Sequence, residues 1–171
     1  MSDEATICHG TSERERRAWR AAAAVSDPEI PVLTIEDLGV LRAVRDDGGR
    51  ITATITPTYS GCPAMDMIAV HVDIALRNAG FDDVSVERVL APAWTTDFMS
   101  DAGRQKLLAY GIAPPVGQAG RGALFGTVEA IPCPRCGSEE TAKISEFGST
   151  ACKALYQCQR CHEPFDYFKC H

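Results

Sequence analysis

Apolar and polar residues recur with two different periods along the first two thirds of the chain, and these periods predict its secondary structure. Spacings of three to four residues predict three helices, at 11–25, 63–79 and 102–110. Alternation at every second residue predicts three strands, at 40–44, 51–56 and 84–90. The first two strands flank Gly48-Gly49 and are expected to form a hairpin. The pattern therefore predicts an α+β domain with a small three-stranded sheet over residues 11–112.

The pattern changes after residue 112. Residues 113–126 contain two prolines and four glycines among few large apolar side chains, which predicts a linker. From 127 to 171, short strand-like segments surround pairs of cysteines. We therefore expect a second, β-rich domain that is smaller than the first.

Composition narrows the class of protein. The 171 residues are 45% hydrophobic and 23% charged, which is typical of a soluble globular protein. The formal net charge of −6 argues against a surface for nucleic acid or for an anionic membrane. No apolar run is long enough to span a bilayer, and the polar start lacks the pattern of a signal peptide. We expect a cytoplasmic protein, in which the eight cysteines bind metal or react rather than form disulfides.

Two Cys-x-x-Cys pairs carry the strongest signal. Cys133 and Cys136 form the first pair, Cys158 and Cys161 form the second, and 21 residues separate the two. Thiolates two residues apart can point at one ion, so two such turns supply the four ligands of a tetrahedral zinc site. We expect a closed, structural zinc site that stabilises a fragment with little core of its own. Iron or a labile cluster on the same thiolates is the alternative.

Other candidate ligands lie near these pairs. His162 is surplus to a four-cysteine site, and we expect it to be a solvated turn residue. Cys170 and His171 are terminal, and either disorder or a second soft-metal site fits them. Cys152 precedes Lys153, whose charge could lower the thiol pKa, and a functional role and a packing role fit it equally. The second domain has five Lys/Arg against six Asp/Glu, so a protein partner is favoured over nucleic acid.

A further cysteine stands at the start of a predicted helix. Cys62 is followed by Pro63, and proline prefers the first helical position. The helix dipole and free amides there are expected to lower the thiol pKa, as in a reactive or metal-binding cysteine. Asp27 and Glu29 belong to an extended loop that could fold near this helix start. A buried structural cysteine and ordinary turn-capping carboxylates are the alternatives.

Several of these segments resemble a known family. Residues 27–32, 37–39 and 56–63 resemble the MIP18-type domain of bacterial SufT proteins and of eukaryotic cytosolic iron–sulfur targeting factors. Residues 147–156 and 163–170 resemble one branch of that family, PaaD, whose members are accessory components of the phenylacetyl-CoA epoxidase (monooxygenase) system. The resemblance extends from about Trp19 to Cys170.

The resemblance implies a MIP18-like α+β domain followed by a zinc ribbon. It implies a role in phenylacetate catabolism, in assembling or maintaining the iron–sulfur clusters of the epoxidase's reductase component. The family's functional cysteine corresponds to Cys62, and its acidic loop to Asp27 and Glu29. Under this hypothesis Cys62 holds iron or a cluster transiently, with a homodimer as one way to bridge it, and the ribbon docks the client protein.

Two other functions are consistent with the residues. The chain could be a non-catalytic component that scaffolds the oxygenase complex. It could also be a thiol enzyme with Cys62 as nucleophile, but His71, on the following helix, is a poor candidate for its base. We therefore predict an accessory protein with no catalytic residue of its own.

Overall fold

The computed structural model describes residues 10–116 and 130–169. The chain divides into two compact units, Met1–Trp94 and Thr95–His171. The second unit begins earlier than the predicted boundary at residue 127, so the last predicted helix belongs to the cysteine-rich unit. Most of the predicted linker, together with Cys170 and His171, lies outside the described residues. Within the described ranges, no helix has the length and apolar character needed to cross a membrane.

The first unit combines two helices with a three-stranded sheet. Its elements are α1 (Glu13–Ala23), β1 (Leu41–Asp47), β2 (Arg50–Ile55), α2 (Ala64–Asn78) and β3 (Val84–Arg88). The sheet has the order β1-β2-β3, with β1 antiparallel to β2 and β3 parallel to β2. The hairpin and both helices are confirmed. The parallel pairing was not predicted, and it requires α2 as the crossover between β2 and β3.

The core of this unit lies between the sheet and the two helices. Both α1 and α2 contact the sheet, and they contact each other. Their inward residues recur at helical spacing, and those of β2 alternate; they are Ala18, Trp19, Ala22, Met65, Ile68, Val72, Leu76, Ile51, Ala53 and Ile55. This packing fixes where α2 begins, and therefore where the loop that precedes α2 lies.

A turn between α1 and β1 is held by two tryptophan side chains. The indole Nε1 of Trp19 donates to Glu36 Oε1 at 2.8 Å. The indole Nε1 of Trp94 donates to the carbonyl of Leu38, also at 2.8 Å. Both indoles are almost completely buried, so each polar N–H needs such an acceptor. The two bonds tie this turn to α1 and to the residues after β3.

The second unit joins a helix to an antiparallel ribbon. Its elements are a 3-10 turn (Thr96–Phe98), α3 (Asp101–Tyr110), β4 (Thr141–Ser145), β5 (Lys153–Cys158) and β6 (Pro164–Phe168), and the sheet order is β4-β5-β6. The predicted ribbon strands are confirmed. The prediction that 113 belongs to a linker is wrong, because Ala113 pairs with β6: its N–H donates to Asp166 at 2.8 Å, and its carbonyl accepts from Phe168 at 2.9 Å.

Replacement of Glu36 by alanine is expected to lower the free energy of unfolding by about 1 kcal/mol, because the buried Trp19 indole loses this acceptor. Glu36→Gln keeps an acceptor oxygen on a side chain of the same length. Its free energy of unfolding is therefore expected to be close to that of the unsubstituted protein. Urea denaturation followed by tryptophan fluorescence compares the two variants. Equal stability of both would show that the indole bond contributes nothing.

Candidate functional site

Cys62 lies in the loop that connects β2 to α2, and the start of this loop is fixed by Thr56. The buried Thr56 donates its N–H to the Val40 carbonyl and its hydroxyl to the Val89 carbonyl, each at 2.9 Å. The loop then turns, with the Cys62 N–H donating to the Tyr59 carbonyl at 3.1 Å. Pro63 is the N-cap of α2, so Cys62 stands directly before the helix, as predicted.

The sulfur of Cys62 is half-buried, and its surroundings include both donors and negative charge. Burial is the main cause that raises the thiol pKa, and the carboxylates of Glu29 and Asp27 raise it further. The amide of Ala64 and the hydroxyl of Thr58 donate to the sulfur and lower the pKa in part. The expectation of a lowered pKa is therefore wrong, because desolvation and two nearby anions outweigh the donors at the helix start. A raised pKa argues against an activated nucleophile.

The acidic loop reaches Cys62, and its own fold depends on one of its carboxylates. Asp27 Oδ1 accepts from the amides of Glu29 at 2.7 Å and Ile30 at 2.8 Å, while the Asp27 N–H donates to the Leu33 carbonyl at 2.9 Å. This is the turn-capping role that was one alternative for Asp27. Both carboxylates nevertheless lie close enough to influence the sulfur. A thiol and carboxylate oxygens are both common iron ligands, but the ligand roles of these residues remain predictions.

The four cysteines of the two Cys-x-x-Cys pairs converge in the second unit. All four Sγ atoms lie within 4.8 Å of one another. The Cys133–Cys161 Sγ distance is 3.8 Å, and the Cys136–Cys158 distance is 3.6 Å. A tetrahedron with metal–sulfur bonds of about 2.3 Å has edges of about 3.8 Å. The spacing of these sulfurs therefore fits a four-thiolate metal ion.

Each pair closes a tight turn of similar form. The Gly137 N–H donates to the Cys133 carbonyl at 2.9 Å, and the His162 N–H donates to the Cys158 carbonyl at 3.0 Å. Both residues at these positions have positive φ, 71° for Gly137 and 61° for His162. His162 is exposed and outside the four-sulfur group, as expected for a solvated turn residue. This position requires a positive φ, a backbone conformation that histidine adopts more readily than most residues.

Two of these sulfurs, those of Cys158 and Cys161, differ in their preference for the charged form. The amides of Cys161 and Arg160 donate to the Cys158 sulfur and lower its pKa to about 6. At Cys161 the amide of Glu163 acts to lower the pKa, but desolvation and the other sulfurs outweigh it and raise the pKa to about 12. Four thiolates this close repel one another. A cation between them would remove the repulsion, which is the chemistry expected of a metal site.

Cys152 is buried near the tip of the ribbon. Its sulfur lies 3.0 Å from the hydroxyl of Thr150. The ammonium of Lys153 is also buried and lies 3.7 Å from the Asp166 carboxylate. Burial of the thiol favours the packing role for Cys152, and a chemical role stays a prediction. The other predicted thiol, Cys170, lies outside the described residues.

Sequence reasoning missed the contacts that position Cys62. The sequence does not show that Thr56 hydrogen-bonds to Val40, just before β1, and to Val89, just after β3. Arg88 of β3 forms an ion pair with Asp66 in the first turn of α2, and these residues are 22 positions apart. The sequence allowed Asp27 and Glu29 to fold near the helix start, but it gave no measure of burial. Burial decides the direction of the Cys62 pKa shift.

Two protein-family models match the two units. Residues 15–88 match a family described as iron–sulfur cluster assembly protein, and residues 118–169 match the PaaD zinc beta ribbon domain. A solved structure from Bacillus anthracis, titled as a domain of unknown function (DUF59), has a TM-score of 0.51 and 28% identity. That comparison covers 55% of this chain and 91% of the other. More than half of this chain thus shares the fold of a solved structure.

Curated relatives match either the first unit or nearly the whole chain. A protein of Porphyromonas gingivalis named Fe-S protein maturation auxiliary factor is 36% identical over 56% of this chain and 91% of its own length. A protein of Escherichia coli K12, named as one of the subunits of the 1,2-phenylacetyl-CoA epoxidase, is 51% identical over 89% of this chain and 90% of its own. Identity at this level across both units shows that the chain belongs to the PaaD family.

Proposed function

We propose that this protein is an accessory factor that assembles or maintains iron–sulfur clusters of the phenylacetyl-CoA epoxidase, with the reductase component as its client. The convergence of Cys62 with Glu29 and Asp27, inside a domain matched by an iron–sulfur assembly family, carries the proposal. The relatives named as maturation factors support the chemistry, and the E. coli relative supports the setting. The protein acts as a carrier and has no catalytic step of its own.

The cargo is iron, alone or in a cluster, and Cys62 is the residue that receives it. In the ion-free protein the raised pKa keeps the thiol protonated at neutral pH. An arriving cation displaces that proton, and the negative charge of Glu29 and Asp27, which disfavours the thiolate, then favours the ion. One sulfur and two carboxylates leave coordination positions open. A client's cysteines can occupy these positions and remove the iron.

The four-cysteine site is closed, in contrast to the open site proposed at Cys62. Four sulfurs at tetrahedral spacing leave no position for a substrate, so we assign it a structural zinc ion. Cys133 and Cys158 are buried in the core of the second unit beside Phe165 and Ala154. The ion therefore joins the two turns to the small apolar core. Bound zinc supplies folding free energy that this core cannot provide by itself.

A scaffold role is the second candidate function. The name of the E. coli relative makes it a component of the epoxidase, which favours stable association with that complex. A scaffold would need the surface of the protein but not the sulfur of Cys62. The Cys62→Ser variant therefore separates the two functions.

Cys62→Ser is expected to lose bound iron while keeping zinc. Protein purified without oxygen is analysed for both metals by mass spectrometry, with Cys152→Ser as the matched control. The unsubstituted protein and the control should hold zinc and substoichiometric iron, whereas Cys62→Ser should hold zinc alone. Normal activation of the epoxidase reductase in cells that carry only Cys62→Ser would contradict the carrier and favour the scaffold.

Glu29→Gln is expected to make Cys62 more reactive. Removal of a nearby negative charge lowers the thiol pKa, so the thiolate fraction at a fixed neutral pH rises and the whole rate profile moves to lower pH. Iodoacetamide labelling of metal-free protein, mapped by peptide mass spectrometry, gives the Cys62 rate. Asp82→Asn is the control, since Asp82 follows the far end of α2, about 22 Å along a 15-residue helix. An unchanged labelling rate in Glu29→Gln would show that Glu29 does not influence the Cys62 thiol.

Cys136→Ser is expected to lose zinc and to unfold the second unit while leaving the first folded. Both tryptophans lie in Met1–Trp94, so tryptophan fluorescence reports the first unit. Amide hydrogen exchange reports the ribbon strands separately. Full protection of β5 and β6 in the zinc-free variant would show that the metal does not stabilise the ribbon.

A further inference from the structure

The outer face of α2 carries an apolar stripe that its own unit does not cover. Met67, Val70 and Ile74 follow one another at spacings of three and four residues, so they lie on one side of the helix. Their exposed fractions are 50%, 53% and 49%, whereas Ile68 and Val72 on the inner side are buried. We call these three residues the α2 stripe. A lone exposed apolar residue is ordinary, but three in register on one helix form a patch.

The stripe begins in the first turn of α2, the helix that follows Cys62, which is the residue proposed to receive iron. Met67 lies in the first turn of α2, and Cys62 stands just before that helix. The Cys62 sulfur is half-buried. A protein that takes iron from it must therefore approach closely and cover the surface around the start of α2. Met67 is the stripe residue nearest to Cys62 along the chain, and Asp66 in the same turn forms an ion pair with Arg88 of β3.

The net charge of the whole first unit bears on which partner could cover the stripe. Met1–Trp94 contains 15 Asp/Glu and nine Arg, a net charge of −6, whereas Thr95–His171 contains eight of each sign. A second copy of the same unit would bring two charges of −6 together. Three half-exposed side chains also fall short of the roughly 800 Å² per partner that a stable interface buries. The stripe therefore suits a brief contact with a basic partner better than a homodimer.

We propose that the α2 stripe is the docking surface for the iron acceptor, an apoprotein that presents an apolar patch ringed by Lys and Arg beside its cluster cysteines. This inference rests on the proposed carrier function and gives it a direction: the acceptor meets the first unit, rather than the ribbon to which client docking was assigned from the sequence. The contact is weak and salt-sensitive, because its attraction combines a small apolar area with the net charge of the unit.

The test uses the full protein and the metal-free reductase component of the same epoxidase. Val70→Lys places a like charge opposite a basic partner and is expected to weaken reductase binding about tenfold, without change in zinc or iron content. Ile144→Lys is the control, because Ile144 is similarly exposed but lies in the ribbon. Titration calorimetry at about 50 mM and 200 mM NaCl should show binding that weakens with salt in every form.

The outcomes separate this inference from the proposed function. Cys62→Ser should bind the reductase normally but fail to restore its cluster, whereas Val70→Lys should show about tenfold weaker binding and correspondingly less transfer. Equal binding by Val70→Lys and the unsubstituted protein, or a loss confined to Ile144→Lys, overturns the stripe while the carrier function stands. Weaker binding by Val70→Lys without iron transfer by any form supports the stripe and overturns the carrier. A dimer in sedimentation that Val70→Lys dissociates would assign the stripe to a second copy and overturn the proposal.

Discussion

Burial and negative charge around sulfur are the physical constraint shared by the cysteine sites of both units. In the ribbon, four thiols lie within 4.8 Å of one another and cannot all ionise without a cation between them. In the first unit, two carboxylates and burial oppose ionisation of Cys62. The four close sulfurs of the ribbon and the half-buried Cys62 thus each disfavour additional uncompensated negative charge, which a metal ion would compensate. Under the proposed function, both arrangements would take a cation more readily than bare negative charge.

The two sites differ in how completely protein atoms surround the ion. Sulfur spacings of 3.6 and 3.8 Å in the ribbon match a closed tetrahedron, which suits permanent binding. The further ligands proposed beside Cys62 are carboxylates from a neighbouring loop, and the sulfur stands at the start of a helix. Such a site can accept and release an ion. The proposed function therefore places a fixed metal that maintains the fold and a mobile metal that serves the client in different parts of the chain.

The sequence predicted the elements well because each has a local cause. Helical periodicity marked α2, a Gly-Gly turn marked the β1–β2 hairpin, and matched Cys-x-x-Cys pairs marked the zinc turns. The parallel partner of β2 could not be predicted in this way, because strand pairing is a tertiary choice. The direction of the Cys62 pKa shift was wrong for a related reason. A helix start can be seen in a sequence, but the depth at which a sulfur is buried cannot.

Residue 113 is a second case in which a tertiary contact could not be predicted from the sequence. Two prolines and several glycines nearby predicted a linker, yet Ala113 pairs with β6 through two backbone bonds. Backbone pairing needs no particular side chain, so composition is a weak guide to it. The assignment of α3 to the second unit likewise depends on packing, not on periodicity.

The two indole bonds to the turn between α1 and β1 give the protein an internal optical probe. Trp19 and Trp94 both donate to residues of one short turn, at Glu36 and at the Leu38 carbonyl. Asp27 and Glu29 belong to the segment that leads into this turn. Tryptophan fluorescence therefore reports on a turn that the acidic loop leads into directly. If the proposed metal exchange moves that loop, tryptophan emission would follow the movement in real time without an attached dye.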